Sequence, residues 1–254
     1  MAIIKQLDQH IANLIAAGEV VEKPASVIKE LIENSVDANA TEITINILNG
    51  GKDLIEVIDN GCGILKDDLL KTVLPHATSK ISKVEDLDNI LTLGFRGEAL
   101  ASIASVSKMT ITSRVESYPI GFKFDAIGGE CSELQDEPCH VGTKVKVCDL
   151  FFNTPARRKF LKSDRSEENS ITDMISRMIL ANPNISFKYN VDGKNVITSF
   201  GDGKEDAILS VYGSETYNNC FKINNYKNGV KIEGYIGNHN FTKPNRTFQT
   251  VILN

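Results

Sequence analysis

Apolar positions along the chain fall into one long helical stripe, an alternating hairpin and a later series of strand patterns. Ile3, Ile4, Leu7 and Ile11 form a short stripe ahead of the first helical segment. Residues 11–21 read as a helix. Pro24 then stands where a first helical turn accepts proline. Residues 25–36 continue helically, with Val27, Ile28, Leu31 and Ile32 on one face. At about 100° per residue, Glu30 and Asn34 lie roughly 40° apart at the edge of that face. Glu33 and Asp37 are expected to point further toward solvent.

Residues 41–48 alternate, with Ile43, Ile45 and Ile47 against Thr44 and Asn46. Asn49-Gly50-Gly51 is a turn, and residues 54–58 form the returning strand, which ends in Asp59-Asn60-Gly61-Cys62-Gly63. Residues 67–74 read as a helix stopped by Pro75. Residues 76–97 are weakly periodic, a length typical of lids and binding loops. A helix over 98–104 follows. Strands are predicted at 109–115, 121–127 and 143–148, a connector at 151–161, a helix at 171–180, and a hairpin over 185–200 turning at Asp192-Gly193.

This order predicts an α+β fold: a two-layer sandwich of helices on a mixed, mainly antiparallel sheet, not an alternating βαβ fold. A boundary near Gly201-Asp202-Gly203 divides a first domain, 1–200, from the start of a second, 206–254. The second opens with a helix and two strand patterns, and the chain stops at Val251-Ile252-Leu253-Asn254.

Composition narrows this little. With 254 residues, 41% hydrophobic and 24% charged, the chain can bury a sizeable core. No apolar run reaches the roughly 20 residues of a membrane span, and the start carries no secretory pattern. Five widely spaced cysteines with no C-x-x-C suit reduced thiols and a cytoplasmic setting, or a nuclear one in a eukaryote. Charge is uneven. Residues 1–150 carry 14 basic and 23 acidic side chains, and residues 151–254 carry 14 and 10. The second part is therefore where phosphates could be met.

Several groups carry candidate chemistry. Glu30 can orient and deprotonate a water, weakly, because a free Glu has a pKa of about 4.3. Asn34 offers the hard amide oxygen that suits magnesium. The same pair on an ordinary helix would merely face water. Asp59 in Asp59-x-Gly61-x-Gly63 only accepts hydrogen bonds when ionised, and adenine's exocyclic amine donates them. The glycines let a flat base approach the backbone; the alternative is an ordinary strand-end turn. Gly94 and Gly97 flank Arg96 just before a helix start, where amides favour anions, and Lys80 adds charge. The Thr143 hydroxyl, after Gly142, could meet Asp59, but on its own the residue reads first as an ordinary threonine at a strand start. His76 has no marked nucleophile beside it and reads as structural. Arg157, Arg158, Lys159, Lys162 and Arg165 are either a solvated face or a contact for the DNA backbone. No G-x-x-x-x-G-K-[ST] and no G-x-G-x-x-G after the first strand occur, which excludes P-loop and Rossmann readings.

Taken together, Glu30-x-x-x-Asn34, Asp59-x-Gly61-x-Gly63, the glycine-rich lid end and Gly142-Thr143 resemble the four motifs of the ATP-binding superfamily shared by type II DNA gyrases, heat-shock chaperones, histidine kinases and MutL. Longer words choose within it. Ala16-Ala17-Gly18-Glu19-Val20-Val21-Glu22-Lys23-Pro24-Ala25-Ser26, His76-Ala77-Thr78-Ser79-Lys80, Gly94-Phe95-Arg96-Gly97-Glu98-Ala99-Leu100 and Phe152-Asn153-Thr154-Pro155-Ala156-Arg157-Arg158-Lys159-Phe160-Leu161 are similar to those of the MutL family of DNA mismatch-repair proteins.

The resemblance implies a slow, magnesium-dependent ATPase acting as a repair switch. Glu30 would be the general base and Asn34 the magnesium ligand. Asp59 would bind the adenine amine, with Gly63 and Thr143 supporting. Thr78, Ser79, Lys80, Gly94, Arg96, Gly97, Glu98, Ala99 and Leu100 would wrap the phosphates. ATP would order the lid and the arm around Ile3, Ile4 and Leu7 and draw two N-terminal domains together. That dimer would couple nucleotide state to DNA, to the mismatch-recognition partner MutS and to nicking. In the family a second domain of the ribosomal-protein-S5 type supplies a lysine to the γ-phosphate, from beyond an Asn-Gly-Arg motif. Asn254 reads as the first residue of that motif, so the lysine and the C-terminal dimerisation and nuclease region are expected to fall outside this chain. A module that binds ATP with little turnover is then the alternative, and a nucleotide-independent DNA scaffold the third.

Overall fold

The computed structural model describes residues 17–18, 20–81, 83, 92–239, 241–242 and 249–253. The arm around Ile3, Ile4, Leu7 and Ile11, all of 84–91 in the long segment, and Asn254 lie outside the described residues.

The long apolar stripe becomes helix α1, Pro24–Asp37. Proline occupies its first turn, where its missing N–H costs nothing. Val27, Ile28, Leu31, Ile32 and also Ser35 are buried. Asn39, in a left-handed conformation (φ 58°), ends the helix, and the Ala38 N–H closes on Asn34 O at 3.0 Å.

The hairpin pairs β1, Glu42–Leu48, with β2, Leu54–Asp59, antiparallel from Ile43↔Asp59 to Leu48↔Leu54. A short helix α2, Lys66–Leu69, runs into a 3-10 turn at Leu70–Val73, so the helix predicted over 67–74 is half 3-10 ahead of Pro75. Helix α3 is Ala99–Ser105. Strands β3, Lys108–Arg114, and β4, Gly121–Ile127, match expectation. The brief β5, Glu130–Cys131, and β6, Gln135–Glu137, were not foreseen; both are exposed polar edges on β4 with little apolar pattern to announce them. Strand β7 is Gly142–Cys148.

The expected connector at 151–161 contains a short helix α4, Pro155–Phe160. Helix α5, Asp164–Ala181, starts well before Ile171 because its first turns are polar, with acids at their favoured end. Strands β8, Ser186–Val191, and β9, Lys194–Ser199, follow. Helix α6, Lys204–Asn218, leads into β10, Cys220–Lys227, and β11, Val230–Gly237, which form their own two-stranded sheet.

Among the described residues the main sheet has nine strands, in the order β5-β4-β3-β7-β2-β1-β8-β9 with β6 beside β4. Only the β1–β8 pair is parallel; the rest are antiparallel, as expected for a mixed, mainly antiparallel sheet. Ile43, Ile45 and Ile47 turn one face toward Ile28 and Ile32 of α1 and Ile171, Ile175 and Ile179 of α5, in one continuous core. The opposite face of these strands is polar. Asn190 donates to Asn46 Oδ1 at 2.8 Å and Asn46 donates to Glu56 at 2.8 Å, so its amides satisfy one another. With both layers on one face, α1 is pressed against β2 and its C-terminal half overhangs the end of that strand.

Ile45 is fully buried in this core. Ile45→Ala is expected to cost about 2–5 kcal/mol of stability, whereas Ile127→Ala, at a half-exposed edge, stays below about 1 kcal/mol. Urea midpoints with unchanged slopes check both values.

Candidate functional site

The overhang of α1 across the ends of β2 and β7 makes a cleft. Its apolar walls are Leu31, Ala38, Val57, Ile64, Leu100, Ile111 and Val145, and its polar groups are Asn34, Ser35, Asp59, Gly63 and Thr143. Five residues expected in one site (Asn34, Asp59, Gly63, Leu100 and Thr143) therefore share one cavity, although they come from α1, β2, the loop after β2, α3 and β7.

Asp59 is the last residue of β2. Its Oδ1 accepts the Gly61 N–H at 2.9 Å and the Thr143 N–H at 3.1 Å. Its Oδ2 accepts from the Ser35 hydroxyl at 2.9 Å. Burial nevertheless pushes the carboxyl pKa above its ordinary value, with these three donors opposing the shift. The expectation that the Thr143 hydroxyl meets Asp59 is corrected. Thr143 reaches Asp59 through its backbone amide, and its hydroxyl pairs with Ser113 Oγ at 2.9 Å. Strand alternation explains this, because Thr143 is directly opposite Asp59 in the β2–β7 register and its N–H, not its side chain, lies along the ladder.

Gly63 is the glycine the turn demands. It has φ +73°, and a Cβ there would overlap the Arg114 carbonyl oxygen. The backbone therefore runs against β3 and shapes the cleft floor. Gly97 (φ +64°) is constrained in the same way against the Ala77 carbonyl, which joins the His76–Lys80 word to the start of α3.

Asn34 stands at the other side of the polar set. Its Oδ1 accepts from the Lys80 ammonium at 3.0 Å. Gly94 comes close to the same oxygen, 3.8 Å from where its Cβ would be. Glu30, one turn before Asn34, is partly buried. Burial raises its pKa above the ordinary value, as does the Glu33 charge, while Lys29, Lys80 and Arg96 pull it down. Glu30, Asn34, Lys80, Gly94 and Arg96 thus form one electrostatic neighbourhood.

Other expected residues play quieter parts. The Thr78 hydroxyl accepts the Lys80 N–H at 3.1 Å, and Ser79 is exposed. Glu98 Oε1 lies 3.1 Å from His76 Nδ1, and His76 is an exposed surface group. Ala99 is half-buried at the start of α3.

Two placements are corrected. Glu33 and Asp37 do not point to solvent: their side chains are 13% and 7% exposed. Lys29 covers Glu33 at 2.7 Å, and residues 93–94 fold over Asp37, a contact from distant sequence that helical spacing cannot reveal. In the basic cluster, Arg158, Lys159, Lys162 and Arg165 are exposed. Arg157 is not displayed with them. Its guanidinium packs so closely on Gly18 that a Cβ there would overlap it.

Ser35 and Ser113 were missed. Ser35 carried a readable signal, since a polar side chain occupied a position the stripe assigns to the core. Ser113 accepts the Ile64 N–H at 2.9 Å and sits 2.9 Å from Gly142 O. Nothing short of the β3–β7 register would have exposed it.

The donor set fits magnesium held mainly by water and phosphate. Asn34 would supply one oxygen, which here accepts from Lys80, and the described residues contain no group of three or more His, Cys, Asp or Glu able to cage an ion. No described helix is long and apolar enough to cross a membrane. All five cysteines are free.

The fold and the cleft define a class. Residues 22–127 match the family described as histidine kinase-, DNA gyrase B- and HSP90-like ATPase. Across its whole length the chain is 48% identical to the DNA mismatch repair protein MutL of Clostridium botulinum (strain Kyoto / Type A2), of which it spans 38%. It is 47% identical to MutL of Clostridium acetobutylicum, spanning 40% of that protein. Among solved structures it is similar to the Aquifex aeolicus MutL ATPase domain complexed with ADP, at 32% identity and a TM-score of 0.68, with 81% of this chain covering 73% of that one. Within its class the chain belongs to the MutL family, in the ATPase region. It spans well under half the length of the curated relatives it matches.

Ser35→Ala removes a donor that favours ionised Asp59. The carboxyl of Asp59 is expected to titrate at a still higher pH in that variant, as read from its 13C shift. An unchanged or lower midpoint would contradict the assigned hydrogen bond.

Proposed function

We propose that this chain binds Mg-ATP in the cleft at the end of β2 and hydrolyses it slowly, as the nucleotide switch of a mismatch-repair protein. The observation that carries this reading is Asp59. Three donors hold its carboxylate, which offers about four lone-pair positions. One acceptor position remains, set among the apolar walls that suit a flat base. An adenine amine donating there would relieve the cost of the buried charge. A base lacking that amine would leave it unrelieved, which is a source of selectivity.

Asn34 would hold the magnesium ion, which when bound would supply positive charge at the phosphates. Lys80 and Arg96 would add positive charge at the phosphates, with Thr78, Ser79 and the backbone of Gly94, Gly97, Glu98, Ala99 and Leu100 wrapping them. Glu30 would take a proton from the attacking water. Its raised pKa makes it a better base than an ordinary glutamate, yet still a modest one, which accords with slow turnover.

The wider role follows from family membership. Nucleotide state would govern pairing of two N-terminal domains, engagement of DNA and contact with MutS in the cytoplasm. Arg158 and Lys159 are the better DNA candidates, because Arg157 is occupied by Gly18. Residues 206–254 would begin a second domain, a reading supported by the separate β10–β11 sheet.

Glu30→Gln is expected to bind a non-hydrolysable ATP analogue within about threefold of wild type while losing on the order of 100-fold or more in hydrolysis. In the wild type the base works only when deprotonated. Its raised pKa therefore places the acid limb of the rate profile above pH 4.5, with activity falling as pH drops through it. Hydrolysis that persists in the variant would remove Glu30 from this role.

A further inference from the structure

Asp37 closes helix α1, and its carboxylate gathers donors from two distant parts of the chain. Oδ2 lies 2.6 Å from the Lys80 ammonium and 3.1 Å from the Gly94 N–H. Oδ1 accepts the Leu93 N–H at 2.9 Å. The helix does not want this charge. A carboxylate in the last turn meets the negative end of the helix dipole, which is unfavourable. The three donors offset that cost, and they are what gives the position its sense.

The donors also belong together. Lys80 ends the first stretch expected to wrap phosphates, 78–80, and Leu93–Gly94 opens the second, 94–100, so a single carboxylate ties both stretches to the last turn of α1. Lys80 is in turn shared with Asn34, its ammonium 3.0 Å from Asn34 Oδ1. An ammonium has three N–H donors. Two are engaged here among the described residues, by Asn34 and Asp37.

We propose that Asp37 is a positioning residue for the phosphate side of the nucleotide site, holding the Lys80 ammonium beside Asn34 and the 93–94 amides beside both. The assignment rests on the nucleotide reading given above. It explains how Lys80, far from α1 in sequence, comes to stand one hydrogen bond from the proposed magnesium ligand. It also separates the two halves of the cleft. Asp59 and its donors serve the base, and Asp37 with its donors serves the phosphates.

The test uses the full chain with magnesium and two probes, adenosine and the β,γ-imido analogue of ATP. Asp37→Asn removes the charge that holds Lys80 and, because Leu93 and Gly94 are on different carboxylate oxygens, keeps an acceptor for one of the two backbone amides. It should weaken the ATP analogue on the order of tenfold and leave adenosine within twofold. Lys80→Met, which leaves Asp37 its two amides, should show the same selective loss, and the double variant should lose less than the product of the two single losses. Three results would overturn the proposal: analogue binding unchanged in Asp37→Asn, equal losses for both probes, or losses that multiply in the double variant. A wild-type chain that binds neither probe would instead sink the nucleotide reading itself, and this assignment with it.

Discussion

A carboxylate withdrawn from water must be met by donors or give up its charge, and at Asp59 that requirement organises the whole site. Its three donors come from α1 through Ser35, from the turn after β2 through Gly61, and from β7 through Thr143. One side chain thus fastens the helical layer to two strands of the sheet at the point where the cleft opens. The register of β2 with β7 places Thr143 directly opposite Asp59, and the burial of Ser35 places its hydroxyl on the same carboxylate. Burial still outweighs the donors and raises the pKa. The group is therefore left under-satisfied, with room for one more donor.

The second organising group is Asp37, three residues after Asn34 on the same helix. Between them Asn34, Ser35 and Asp37 make one helix end a hub for three partners. Ser35 faces Asp59, Asn34 faces Lys80, and Asp37 gathers residues 93–94. Because α1 is anchored through Ile28 and Ile32 to the core under β1, these three side chains are carried on a rigid element. The loop residues are then positioned by hydrogen bonds to it, which is the usual division between scaffold and binding loop.

Much of the fold could be read from periodicity. The stripe of α1, the alternation in β1 and the Asn49-Gly50-Gly51 turn each have a local cause, so they appeared with nearly the right bounds. The polar start of α5 and the two-residue β5 had no apolar signal and were not legible. For the site, Glu30, Asn34, Asp59 and Gly63 stood out because their residue types and spacings are chemically suggestive. The 94–100 stretch and Lys80 stood out for glycines and charge ahead of a helix start, and family words then extended the reading to Thr78 and Ser79. What escaped were groups whose partners are far away in sequence. Asp37 looked like a solvent-facing helix residue until residues 93–94 were seen to cover it. Arg157 looked like part of a basic surface until its packing on Gly18 was seen. Ser113 acts only through the β3–β7 pairing. Helical and strand periods predict which way a side chain leaves its own backbone; they do not predict which other segment arrives to meet it.

The central claim is that the anchored Asp59 carboxylate reads the adenine amine at the end of β2, with the phosphates lying toward Asn34 and Lys80. The most direct measurement is a crystal structure of the chain with magnesium and a non-hydrolysable ATP analogue. The account predicts the exocyclic amine within hydrogen-bonding distance of Asp59, and the phosphates against Asn34, Lys80 and the 94–100 backbone. An analogue bound with its base away from Asp59, or with its phosphates at that carboxylate, would contradict it.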